Sequence, residues 1–157
     1  MRDLTSKINL FLVTGFYVGY IPRLPGTAGT LVAIPLSLGL NRLAVISLPL
    51  ALLTLAAAIA CAIWLSTRGA AILQQKDPRV IVIDEIAGFM VANFAAPLGI
   101  VVVILAFVLF RFFDIVKPFP ISKLERLPGG AGIVLDDVMA GLYTFLVLRL
   151  MLTWGLV

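Results

Sequence analysis

The sequence predicts an all-α fold, a polytopic helical bundle embedded in a membrane, and three observations predict it. Hydrophobic residues make up 62% of the 157-residue chain, against the ~45–50% usual for soluble domains. Charged residues make up 13%, roughly half the usual share. Those charges are clustered, leaving windows long enough for membrane helices, such as the uncharged run from Ile86 to Phe110. A soluble fold of this length cannot bury so much apolar surface. The length suits a single domain, 1–157.

The elements follow in chain order. Arg2 and Lys7 precede an apolar stretch, but "FLVTGFYVGYIPRLPG" has no small-x-small cleavage site, so an N-terminal interfacial or membrane helix is expected instead of a removed leader. Residues 24–41, with Pro35 expected to kink them, and residues 43–67 predict a first helical hairpin, about 27–66, turning at Asn41–Arg42. The run 86–110 could cross once, yet Pro97 and Gly99 break it into half-helices, 85–96 and 100–113, giving a second hairpin, about 85–113. Residues 138–157 predict a C-terminal transmembrane helix interrupted by Arg149.

The second hairpin sets the topology. If 86–110 crossed straight through, Asp84 and Glu85 would lie across the membrane from Arg111 and Asp114. Folded back, they meet on one face. That face then holds ten of the twelve basic residues (Arg2, Lys7, Arg23, Arg68, Lys76, Arg79, Arg111, Lys117, Lys123 and Arg126), leaving Arg42 and Arg149 toward the other. It also holds all eight carboxylates. The asymmetry predicts that the shared face is cytoplasmic.

Composition also excludes chemistry. There is no histidine, so histidine-nucleophile and histidine-relay phosphatases are ruled out. Cys61 is the only cysteine, makes no internal disulfide, and reads as a small buried hydrophobe. The net charge of +4 suits anionic headgroups or a phosphate-bearing substrate, and no basic stripe or base-stacking platform for nucleic acid is present.

Two stretches resemble each other: "VIDEIAG" at 82–88 and "VLDDVMAG" at 134–141. Each pairs two carboxylates with a glycine, and Asp84–Gly88 and Asp137–Gly141 both have the i to i+4 spacing that shares a helix face. Such a glycine admits close approach of another helix or a ligand. Asp84 and Asp136 have a plainer reading as helix N-caps. The second acid of each pair has no such role, and two like charges at each site call for a cation. Asp84, Glu85, Asp136 and Asp137, with Asp114 as a fifth acid, form an oxygen-rich set suited to Mg²⁺.

"FRFFDIVKP" spaces Arg111, Asp114 and Lys117 three apart, either an interfacial ion-pair ladder or two phosphate-binding cations flanking an acid. "PRLPGTAGT" at 22–30 is a loop in which Thr27 or Thr30 can cap the following helix, with Gly26, Gly29 and Arg23 making an anion cradle. It is not a P-loop, because no G-K-[ST] follows. Lys76, Arg79, Lys123 and Arg126 read as a headgroup belt, and Phe110, Phe112, Phe113 and Phe119 as interfacial aromatics.

Four blocks, "PRLPGTAGT", "IDEIAG", "FRFFDIVKPFPI" and "GGAGIVLDDVMAG", in this order and spacing, resemble the phosphatidylglycerophosphatase A family of bacterial inner-membrane lipid phosphatases. The resemblance runs from about Gly15 to Gly141. It implies a multi-pass protein of the bacterial inner membrane that hydrolyses phosphatidylglycerophosphate to phosphatidylglycerol and phosphate, with Mg²⁺, at the cytoplasmic face. The family's acidic positions fall on Asp84, Glu85, Asp114, Asp136 and Asp137, and its basic ones on Arg111 and Lys117. Its Pro-Gly-Thr loop falls on Pro25, Gly26 and Thr27, and Thr30 stands where the family often has serine.

The expectation is therefore a metal held by Asp84, Glu85, Asp136 and Asp137. Arg111 and Lys117 would neutralise the phosphoryl oxygens, Arg23, Gly26, Thr27 and Thr30 would bind phosphate, and Asp114 or a member of a pair would take up a proton. Water and an aspartate both stand as nucleophile. The adjacent aspartates are not the D-x-D of aspartyl-phosphate phosphatases, and the D-G-x-x-A-R of CDP-alcohol transferases is absent. No obligate protein partner is expected. The competing reading is a small ion-coupled carrier or a structural membrane subunit, against which stands the placement of every acid at one face.

Overall fold

Asp3 starts the first helix, α1 (Leu4–Val13): its Oδ1 accepts a hydrogen bond from the Ser6 N–H at 3.0 Å. The computed structural model describes residues 3–156, so Arg2, one of the ten basic residues above, and residue 157, the end of the expected last span, lie outside the described residues. At about 15 Å, α1 is too short to cross a bilayer. It packs on a later helix through buried Asn9, which donates to the Leu65 carbonyl at 3.3 Å. The chain then turns through Gly15, Phe16 and Tyr17, all at positive φ, into a short 3-10 turn, Val18–Tyr20. The Val13 carbonyl accepts from the Val82 N–H at 3.0 Å, fastening this turn to the segment that leads into "VIDEIAG".

The first hairpin is α2 (Pro25–Ile46) and α3 (Leu48–Leu73), with Ser47 alone between them in extended conformation. The expected turn at Asn41–Arg42 does not occur. Asn41 lies inside α2, buried, and its polarity serves a tertiary contact, donating to the Ala96 carbonyl at 3.2 Å. The chain reverses where Pro49, in the first turn of α3, can start a helix without needing an N–H. Pro35 does not divide α2, which runs on through it.

The second hairpin forms as expected: α4 (Ile83–Ala92) and α5 (Ile100–Val116) are separated by residues 93–99. It folds back far enough to bring Arg111 Nη1 to 4.0 Å from Glu85 Oε1. A short α6 (Ile121–Leu124) leads to α7 (Gly130–Thr153), which starts well before the expected 138. Among the described residues α2, α3 and α7 are long and apolar enough to cross a membrane.

The short helix α4 is the centre, packed between α7, α2 and α3. Its glycine makes this possible. A Cβ on Gly88 would lie 2.6 Å from the Asp137 carbonyl oxygen, and one on Gly141 would overlap the Gly88 carbonyl oxygen. The two similar motifs thus lie against each other, backbone to backbone. Below them Phe89 and Phe110, both fully buried, meet edge to face at 6.0 Å. Phe110 is therefore core and not interfacial, whereas Phe112 and Phe119 are exposed. Cys61 is also reversed: it is exposed on α3. In a membrane bundle the outside is apolar too, so a hydrophobic residue need not be buried in protein.

Candidate active site

The acids do not cap their helices. The N-cap of α4 is Val82 and that of α7 is Gly129, so Asp136 and Asp137 lie inside α7 while Asp84 and Glu85 occupy the first turn of α4. Negative charge in that first turn suits the helix dipole. The backbone contact at Gly88 and Gly141 then brings the two acid pairs together. One carboxylate oxygen from each of Asp84, Glu85 and Asp137 lies within 4.8 Å of the others.

Asp136, expected as a fourth ligand, lines the same cavity as these three but lies outside their 4.8 Å group and is held by a lysine. Its Oδ2 accepts from Lys117 Nζ at 2.7 Å and its Oδ1 from the Asp137 N–H at 3.0 Å. Lys117 ends α5 in a left-handed conformation, φ 46°. That turn swings it off the face of Asp114, so the expected Asp114–Lys117 pair is absent and Lys117 pairs with Asp136 and, at 3.3 Å, with Glu125. Burial works against the Lys117 charge, but the hydrogen bond and charge of Asp136, helped by Glu125, outweigh it and raise its pKa. Lys117 is a cation throughout the neutral range.

The other expected pair does form, with Arg111 Nη1 2.7 Å from Asp114 Oδ2. That contact is an ion pair without hydrogen-bond alignment, since Nη1 and Nε of Arg111 are both buried and lack a hydrogen-bond partner. Gly26 lets this centre form. A side chain there would overlap Glu85 Oε1 and press on Arg111 Nη1.

"PRLPGTAGT" is less of a loop than expected. α2 begins at Pro25 with Leu24 as its N-cap, so Thr27 and Thr30 lie inside the helix and cap nothing. Thr30 is fully buried, its hydroxyl donating to the Gly26 carbonyl at 2.8 Å, which fixes the helix start instead of facing a ligand. Arg23 is exposed, at φ 73°.

The acids open on a polar cavity of about 210 Å³, which Pro25, Asp114 and Lys117 help to line. Sequence reasoning missed two of its walls. Arg79, read as headgroup belt, and Asp77 both line this cavity. Buried Pro78 between them and their closeness to "VIDEIAG" were the available signals. Lys76, Lys123 and Arg126 are exposed, as a belt requires.

The donor set fits a hard divalent cation. Three carboxylates converge, and Asp84 Oδ1 and Glu85 Oε2 are buried without any hydrogen-bond partner. Like charges held this close out of water need a counter-charge, and oxygen ligands suit Mg²⁺-type ions.

Comparison with known proteins places the chain among lipid phosphatases by name. A family profile described as Phosphatidylglycerophosphatase A matches residues 11–152. A Haemophilus influenzae protein named phosphatidylglycerophosphatase A is 36% identical, covering 98% of this chain and 94% of its own length. The Escherichia coli protein of that name is 35% identical over 83% of this chain and 75% of its own length. A Bacteroides thetaiotaomicron protein, provisionally named phosphatidylinositol-3-phosphatase, is 37% identical over 91% of this chain and 92% of its own length. No solved structure matches the chain at a comparable level.

Proposed function

The chain belongs to the phosphatidylglycerophosphatase A family, and from that premise we propose that this membrane phosphatase removes the terminal phosphate of phosphatidylglycerophosphate, with Mg²⁺, at the cytoplasmic face. The observation that carries the reading is the convergence of Asp84, Glu85 and Asp137 on a polar cavity with buried carboxylate oxygens left unpartnered.

Asp84, Glu85 and Asp137 would hold the ion, which when bound supplies Lewis-acid polarisation of a phosphoryl oxygen. Asp136 acts through Lys117, holding that ammonium at the cavity wall. Arg79 is exposed at the same wall, forms no ion pair among the described residues, and is the second cation for the phosphate oxygens. Asp114 lines the cavity and takes up the proton released by the attacking group, while Arg111 fixes the positions of Asp114 and Glu85. Gly26 and Thr27 contribute the first turn of α2, whose N–H groups lack intrahelical partners. Arg68, Lys76 and Arg79, in the last turns of α3 and the segment leading into α4, and Lys123 and Arg126, in the segment between α5 and α7, adjoin the acid-bearing elements in the chain and support the cytoplasmic assignment.

The test is inorganic phosphate release by the purified protein in detergent, from phosphatidylglycerophosphate and, separately, from phosphatidylinositol 3-phosphate, with Mg²⁺ or with EDTA. Release from the first lipid that requires Mg²⁺ is expected. Full activity in EDTA removes the metal, and preference for the inositol lipid removes the substrate.

A further inference from the structure

A second, larger cavity lies outside the polar site. It is a groove of about 500 Å³ between α2, α3 and α4, with Leu12 and Phe16 of the N-terminal segment also on its wall. Its walls follow helical spacing: Leu36 to Leu43 on α2, Thr54 to Leu65 on α3, and Ile83 to Met90 on α4. The wall is almost wholly apolar, and the hydroxyl of Thr54 is already donated to the Leu50 carbonyl at 2.8 Å.

We propose that this groove holds one acyl chain of the phospholipid substrate while its phosphate lies among the carboxylates. The proposal rests on the lipid-phosphatase reading above and extends it to the apolar half of the substrate. Three observations support it. First, α4 joins the two cavities, since Ile83 lines the groove and the next residue, Asp84, lines the polar site. Second, the groove runs along α3 from Thr54 to Leu65, about 16 Å of helix, close to one leaflet of a ~30 Å hydrocarbon core. Arg68, stacked on the Trp64 ring at 4.4 Å, marks the polar boundary just beyond Leu65. Third, Gly39 has no packing reason to be glycine. A Cβ on Gly26, Gly29, Gly88 or Gly141 would strike a neighbour, but one on Gly39 would meet nothing within 4 Å. Glycine weakens a helix interior relative to alanine, and here its missing side chain widens the groove.

Two measurements test this. The first is phosphate release by the unaltered protein and by Gly39→Trp, each on dipalmitoyl and on dihexanoyl phosphatidylglycerophosphate. Filling the groove is expected to lower the ratio of kcat/KM for the long-chain over the short-chain substrate about tenfold, the equivalent of roughly two buried methylenes. An unchanged ratio overturns the proposal. The second does not depend on catalysis or on a variant. Cys61, the only cysteine, lines the groove, so its rate of alkylation by N-phenylmaleimide reports occupancy. Dipalmitoyl phosphatidylglycerophosphate is expected to slow alkylation several-fold more than the same amount of dipalmitoyl phosphatidylcholine. Equal protection by both lipids, or none, overturns the groove as a substrate site. Protection by the substrate lipid in a protein that releases no phosphate would instead sink the enzymatic reading and keep the groove.

Discussion

A partly buried arginine lies at each end of the second hairpin, one from α7 at the turn and one from α5 at the open end, and the two are used differently. At the turn, Arg149 of α7 donates through Nη2 to the Phe94 and Ala95 carbonyls, at 3.0 and 2.6 Å, and lies over the Phe145 ring. Asn41 serves the Ala96 carbonyl, and Asn93 donates to Ser37 Oγ at 3.0 Å. Backbone carbonyls that lose their helix partners in an apolar bundle need such donors. At the open end, Arg111 faces Glu85 and Asp114, yet its Nε and the oxygens Asp84 Oδ1 and Glu85 Oε2 are buried without hydrogen-bond partners. The turn also leaves amide oxygens unpartnered, Asn41 Oδ1 and Asn93 Oδ1, but these are neutral. The contrast separates charge that completes the fold from charged groups whose atoms the fold itself leaves unpartnered.

The comparison can be broken most sharply at the acids. Asp137→Asn is expected to lower phosphate release by about 10²–10³-fold, the scale of removing one preorganised electrostatic group, while leaving Tm unchanged or higher because a like charge is gone. Arg149→Ala should show the opposite pattern. Stability should fall by about 1.5–3 kcal/mol, as for a hydrogen bond to a charged group, with specific activity of the folded fraction kept within about threefold. Equal loss of activity in both variants would abolish the distinction between the two ends.

Gly141→Ala tests what joins them. Its Cβ would overlap the Gly88 carbonyl oxygen, so overpacking is expected to cost about 1–3 kcal/mol and to lower activity as the acid pairs separate. Glu125→Gln should have the smallest effect. It removes a half-exposed partner 3.3 Å from Lys117, a change of ~0–1 kcal/mol in a chemical denaturation curve. The raised pKa of Lys117 means that its stabilising charge is complete below its ordinary pKa and is lost only as pH climbs through the raised one. Activity profiles across neutral pH should therefore show no step from Lys117.

Much of this architecture was legible because apolar runs and their breaks are local signals. Pro97 and Gly99 announced the fold-back, and the paired glycines announced close helix contact. Positions that depend on tertiary partners were not legible. Asn41 looked like a turn because its acceptor, Ala96, is distant in the chain. The pairing of Asp136 with Lys117 was not legible because the left-handed end of α5, which delivers Lys117 to it, has no glycine to signal it. Arg79 looked like a headgroup anchor because only folding places it at the cavity. Cys61 was misplaced by a rule of burial that holds in water and fails in lipid.

The central claim is that Asp84, Glu85 and Asp137 form a divalent-cation site. The most direct measurement is calorimetric titration of Mg²⁺ into the purified protein in detergent, beside Asp137→Asn and Arg149→Ala. Saturable binding that survives Arg149→Ala and is abolished by Asp137→Asn is the predicted result. Binding that is absent from the unaltered protein, or unchanged in Asp137→Asn, would contradict it.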